Sequence, residues 1–170
     1  MIRTKKTRAY ITQAELKDLL HYNPETGDFV WLVNRTNGIK VGNFAGCFRG
    51  SYRVISIKNV SYAAHRLAFL YMAGRFPHEY IDHINGVKSD NRWVNLREAT
   101  NGENQYNRSG TGSNCGIKNV TYVQSRNRFQ VSLKVSGKEK FIGYFEDIEL
   151  AELVSIEARE KYHGHFAKHI

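Results

Sequence analysis

The chain has 170 residues, 41% of them hydrophobic and 12% aromatic, which suits one ordinary domain or two small ones and argues against wholesale disorder. Its net charge of +9 is a statement about partners rather than fold, and favours a polyanion over a basic or neutral partner. No run approaches the ~20 apolar residues of a membrane span, the basic start "MIRTKKTRAY" has no apolar stretch behind it as a secretory signal would, and two distant cysteines, Cys47 and Cys115, support neither a disulfide framework nor a structural zinc site.

Taken in chain order, residues 11–20 read as a short helix, with Thr12 as N-cap and Glu15 as its capping-box partner. "NPETGD" (23–28) is turn chemistry. "FVWLV" and "SYRVISI" read as strands, and "TNG" and "GNFAG" as loops between them. "YAAHRLAFLYMAG" reads as a buried helix with Gly74 at its end and Pro77 barring continuation. His65, on that apolar helix, is expected to be a hydrogen-bonded structural histidine. From Glu79 the pattern changes to a short strand "EYIDHI", a turn-rich loop "NGVKSDN", a helical turn "RWVNL" and a second strand "LREAT". A helix follows at "TNGENQYNR", where Thr100 and Glu103 repeat the capping-box spacing.

"SGTGSNCG" (109–116) is a Gly/Ser-rich linker. Beyond it the period becomes two. In "RFQVSLKV", Phe129, Val131, Leu133 and Val135 alternate with Arg128, Gln130, Ser132 and Lys134, as a half-buried strand with a basic outer face requires. "KNVTYV" and "KEKFIGYF" make three strands. Asp147 caps a helix to about His163, with Ile148, Ala151, Val154, Ala158 and Tyr162 on one face. The fold class is α+β, and a three-stranded antiparallel sheet on one helix makes a compact second domain.

Charge is segregated. Arg3, Lys5, Lys6 and Arg8 open the chain, and Arg108, Lys118, Arg126, Arg128, Lys134, Lys138 and Lys140 face Glu139 alone between residues 105 and 140. Six acids cluster instead between Glu146 and Glu160. Nucleic acid is the partner this pattern favours. His163, His165 and His169 read as a solvated tail.

"YIDHINGVKSDN" sets Asp82 directly against His83 in a segment whose turn needs only Asn85-Gly86. Cutting a phosphodiester requires a base for water, an offset for the phosphate charge and a stabiliser for the departing oxygen. A neutral imidazole suits the first, and a hard cation on oxygen ligands the others. Asp82 and His83 point to opposite faces of a regular strand. A loop or bulge at Ile84-Asn85 would bring both to one phosphate. Asn104 offers an amide oxygen, and Asn95 would brace the loop or fix the imidazole tautomer. Arg97 is placed for the scissile phosphate or for a structural ion pair.

The string "IDHING…SDNR…NLREAT…EN" resembles the HNH endonuclease family, in particular the phage-type homing endonucleases, with an Asn twelve residues after the His and another nine further on. The resemblance runs from about His21 to Arg108 and lacks zinc-binding cysteine pairs. It implies a ββα-metal core at about 77–108 within a nuclease domain, 1–108. It implies Asp82 and Asn104 as ligands of Mg²⁺ (or another divalent cation such as Mn²⁺), His83 as general base and Asn95 as the residue that orients the site. "GIKNVTYVQSRNRFQVSLKVSGKEKFIGYF" with its helix resembles the plant ethylene-response-factor DNA-binding domain, here 117–170. The resemblance implies a sheet laid in the major groove. Period two selects Arg128, Gln130 and Lys134, with Arg126, Phe141 and Lys118 as further contacts. Double-stranded DNA is the expected substrate, with no membrane partner, a monomer or weak dimer as the working state, and a host-cell cytoplasm as location if the chain is phage-encoded. A non-catalytic DNA-binding regulator is the alternative. An RNA-directed nuclease ranks lower, because the basic sheet face carries few aromatics.

Overall fold

The computed structural model describes residues 11–36, 38–106 and 113–167. The expected basic cluster Arg3–Arg8, together with Arg108, most of the linker and His169, lies outside them. The chain divides between Glu98 and Ala99 into two compact units, where the sequence placed the division in the Gly/Ser stretch.

The first unit opens on α1 (Gln13–Leu19). Its capping box forms as expected: Thr12 Oγ1 accepts from the Glu15 amide at 3.2 Å, and the Glu15 carboxylate accepts from the Thr12 amide at 3.0 Å. The helix stops one residue early because Leu20 turns extended and starts β1 (Leu20–Tyr22). That strand pairs antiparallel with β2 (Phe29–Trp31) and buries Leu20 and Tyr22 on one face. A three-residue strand carries too little alternation to stand out against a preceding helix.

A three-stranded antiparallel sheet follows in the order β3 (Cys47–Arg49), β4 (Tyr52–Ile57), β5 (Val60–Ala63). The β4–β5 connection is a two-residue turn at Lys58 and Asn59, both with positive φ, as a type I′ hairpin needs. Tyr62 and Ala63, expected in the helix, complete β5 instead, and α2 spans Ala64–Ala73. Gly74 ends it as expected, left-handed at φ 75°, with its amide on Leu70 O at 3.1 Å. Leu16, Leu20, Phe29, Ile55, Leu67 and Leu70 form the centre of one apolar core that ties α1, α2 and both sheets together.

Two further strands, β6 (Tyr80–His83) and β7 (Leu96–Ala99), pair into a small sheet, with a 3₁₀ turn at Trp93–Asn95 leading into β7. The loop between them is propped from below by the 23–28 turn. Tyr22 Oη donates to Asn91 O at 2.7 Å, and the Trp93 amide donates to Pro24 O at 2.9 Å. Each such bond contributes about 1 kcal/mol net. Gly27 makes this approach possible: its φ is 78°, and a Cβ there would lie 2.5 Å from the Arg92 nitrogen.

The second unit holds α3 (Asn101–Tyr106), again with its capping box, the Thr100 amide donating to Glu103 Oε2 at 2.8 Å. An antiparallel sheet follows in the order β10 (Lys138–Phe145), β9 (Arg128–Val135), β8 (Val120–Val123). Helix α4 (Ile148–His163) starts where Asp147 Oδ1 accepts from the Leu150 amide at 2.7 Å. Val120, Val131 and Ala151 centre a small core.

The buried stripe of α4 differs from the expected one. Ala151 and Ala158 face inward, but so do Ser155, Arg159 and His163, while Ile148 is exposed. Arg159 earns its place through bonds: Nη1 donates to Lys118 O at 2.8 Å and to Ser155 Oγ at 3.2 Å. His163, expected in a solvated tail, is buried with its ring stacked on Tyr106 at 3.8 Å. No helix among the described residues is long and apolar enough to cross a membrane.

Candidate active site

Asp82 and His83 are consecutive residues of β6, and both are buried, at 4% and 5% exposure. Strict alternation would have left one of them in solvent. Both faces of this short strand are covered instead, so each side chain meets its own wall.

Asp82 meets β7. Arg97 Nη2 lies 2.6 Å from Asp82 Oδ2, and Arg97 Nε donates to the same oxygen at 2.8 Å. The pair is shielded, with the arginine side chain 15% exposed. Of the two placements the sequence left open for Arg97, the described structure shows an ion pair, and its acid is the expected metal ligand.

His83 meets aromatic rings. Its imidazole stands edge-on to His65, centroids 5.2 Å apart, and 6.2 Å from Tyr52, which itself lies 5.4 Å from His65. Burial pushes the His83 pKa below the ordinary histidine value; the Asn91 side chain and the Asp82 and Asp90 carboxylates act in the opposite direction without reversing it. His65 is driven lower still, to about 3, first by burial and then by His83 and Arg66. The imidazole is therefore neutral near pH 7, the form a proton acceptor needs. His65 thus borders the candidate base, a neighbourhood that a histidine eighteen residues upstream does not announce.

Asn95 braces the loop. Its Oδ1 accepts from the Asn85 amide at 2.9 Å, and its Nδ2 donates to Asp90 O at 2.8 Å. Its carbonyl accepts from the Ile84 amide, also at 2.9 Å. Asn85-Gly86 makes the expected turn, with the Gly86 amide on His83 O at 2.7 Å. Arg92 closes the far end of the loop on Asp90 and, with Asn85, holds that carboxyl at about 2. The β6–β7 segment therefore brings Asp82, His83 and Asn95 together. Asn104 stands half-buried on α3, in the second unit.

The expected DNA-binding residues fall on two sites of the second unit. On β9, Arg128, Gln130 and Lys134 share the outer face, as the alternation required. Arg128 there pairs with Glu146, and Glu139 stands opposite Lys134. Register breaks between Phe141 and Gly143, so Phe141, opposite Ser132, and Tyr144, opposite Gln130, line the same face although three residues apart. Their rings lie 5.0 Å apart, and Arg126 stacks over Tyr144 at 4.8 Å. The face is more aromatic than alternation alone predicted. Lys118 lies away from it, its Nζ donating to Tyr106 O at 2.9 Å.

Among the described residues, no group of three or more His, Cys, Asp or Glu side chains is arranged to hold a metal ion. The expected donors are one carboxylate and one carboxamide, a hard-oxygen set of the kind magnesium takes together with water and phosphate oxygens. The buried Asp82 carboxylate already faces one cation, Arg97.

The segment that carries the Asp-His pair lies within a stretch that matches a known family. The HNH endonuclease model matches residues 62–106. The chain is also similar to Protein 3.8 of Escherichia phage T7, 32% identical over 92 residues that make up 52% of this chain and 74% of that protein. The chain belongs to the HNH endonuclease family, with its HNH domain at residues 62–106. No solved structure matches it.

Proposed function

We propose that the protein is a metal-dependent DNA endonuclease of phage origin, acting in the host cytoplasm, with a ββα-metal core built from β6, β7 and α3. The observation that carries this reading is a buried, neutral imidazole beside a buried carboxylate inside the matched domain. His83 takes a proton from water, and the hydroxide attacks phosphorus in line. The bond to the 3′-oxygen breaks and that oxygen takes a proton from solvent water, leaving 5′-phosphate and 3′-hydroxyl ends. Asn95 keeps the loop after His83 in place through its hydrogen bonds with Asn85, Asp90 and Ile84. Asp82 and Asn104 are the ligands that would hold Mg²⁺, or Mn²⁺ in its place. When bound, the ion supplies charge neutralisation at the phosphate and at the departing oxygen.

Incubating supercoiled plasmid with the protein is expected to give nicked circles with Mg²⁺ and none in EDTA. One base per chain implies cutting one strand at a time, as a monomer or weak dimer, which fits a homing enzyme that nicks. Plasmid that stays supercoiled at every metal concentration would sink the reading and leave the second one, a DNA-binding regulator. That alternative has its own support, because Arg97 occupies an oxygen of the expected metal ligand.

The C-terminal sheet is proposed to hold duplex DNA in the manner of the ethylene-response-factor domain, through Arg126, Arg128, Gln130, Lys134 and Phe141. Lys118 would act from the side as a phosphate contact. Lys134→Gln is expected to weaken binding and lower the slope of log affinity against log salt by about 0.9, one phosphate's worth. An unaltered slope would move the contact off this face.

A further inference from the structure

The first unit carries a second surface that the nuclease reading does not use. The tip of the β3–β4 hairpin and the loop after β6 face each other across an open cleft of about 490 Å³. Phe48 and Ser51 line one side, and Val87, Lys88 and Ser89 the other. Phe48 is 56% exposed and Val87 50%, large apolar surface to leave in water at a loop tip. No acid is among the residues that line the cleft. Lys88, the cation among the lining residues, lies over the Tyr52 ring at 5.3 Å. Tyr52 in turn touches the His83 ring, so the cleft opens beside the candidate base.

A cation, hydroxyls and glycine backbone beside an exposed aromatic ring are chemistry that receives a nucleic-acid strand. A phosphate pairs with the cation, and a base or sugar covers the ring. We propose that this cleft binds the DNA strand flanking the phosphate to be cut, with Lys88 on a phosphate and Phe48 against a sugar or base. The proposal rests on the nuclease reading for the position of the cut. Charge complementarity selects the occupant.

The test uses the full chain and a fluorescein-labelled DNA duplex of mixed sequence, in EDTA so that no strand is cut. Phe48→Ala is expected to weaken binding about ten-fold by fluorescence anisotropy, within the range of a lost stacking contact. Lys88→Gln should lower the salt slope by about 0.9. Both side chains are exposed, and circular dichroism will show whether the variants keep the fold. A photoreactive benzoylphenylalanine at position 48, irradiated with the duplex in a separate reaction with Mg²⁺, should crosslink DNA within a few nucleotides of the nick. Wild-type affinity and slope in both variants would overturn the proposal, as would tighter binding of single-stranded RNA than of the duplex. The two readings fail separately. Weakened variants of a protein that never nicks leave the cleft standing and remove the nuclease, whereas normal nicking by unaffected variants removes only the cleft.

Discussion

Replacing His83 by alanine is expected to lower the nicking rate by at least about 10²–10⁴-fold, the contribution of a positioned general base. DNA affinity measured in EDTA should stay within about two-fold of wild type, because the imidazole is buried and proposed to act on water rather than on the duplex. Nicking at the wild-type rate would refute the base assignment. The acid side of the pH profile tests the same group. A base works deprotonated, so the rate falls as pH drops through its pKa. Burial holds His83 below the ordinary value of 6.5, so the half-maximal point of kcat/KM should lie on the acid side of 6.5. A limb above 6.5 would mean that some other group takes the proton.

Arg97→Gln carries the second large effect. Asp82 and Arg97 form a shielded pair, and removing one partner of such a pair costs about 3–5 kcal/mol because the other charge stays in the interior. The melting temperature should fall by more than about 10 °C. Metal should then reverse part of the loss. With the guanidinium gone, Asp82 is left to a divalent cation, so Mg²⁺ should bind the variant more tightly and raise its melting temperature more than it raises that of the wild type. Equal shifts in the two proteins would detach Arg97 from the metal position and make it a structural residue only. Stability thus reads out metal binding without any DNA present, which separates a lost ligand from a lost active site.

The two results bear on why β6 holds its acid and its base in one buried strand. Asp82 is neutralised from β7, and His83 is dried by Tyr52 and His65. The same local sequence in an open hairpin would leave a solvated carboxylate and an ordinary imidazole, and neither would be ready for phosphodiester chemistry. Burial sets the state of the imidazole.

Local signals were legible from the chain alone. The capping boxes at Thr12 and Thr100, the left-handed stop at Gly74, the Asn85-Gly86 turn and the alternation of β9 each depend on residues a few positions apart, and each forms where expected. The spacing of Asp82, His83, Asn95 and Asn104 led to the HNH family for a similar reason, since one short segment carries the whole pattern. Tertiary structure alone decided the rest. It set Arg97 on Asp82, fifteen residues away, and His65 and Tyr52 on His83. It also turned Tyr144 onto the face of Phe141 through a bulge, and drew Arg159 and His163 inward. Those outcomes depend on which surfaces meet once the core has formed, and side-chain burial and charge neutralisation are properties of the meeting rather than of either stretch of chain.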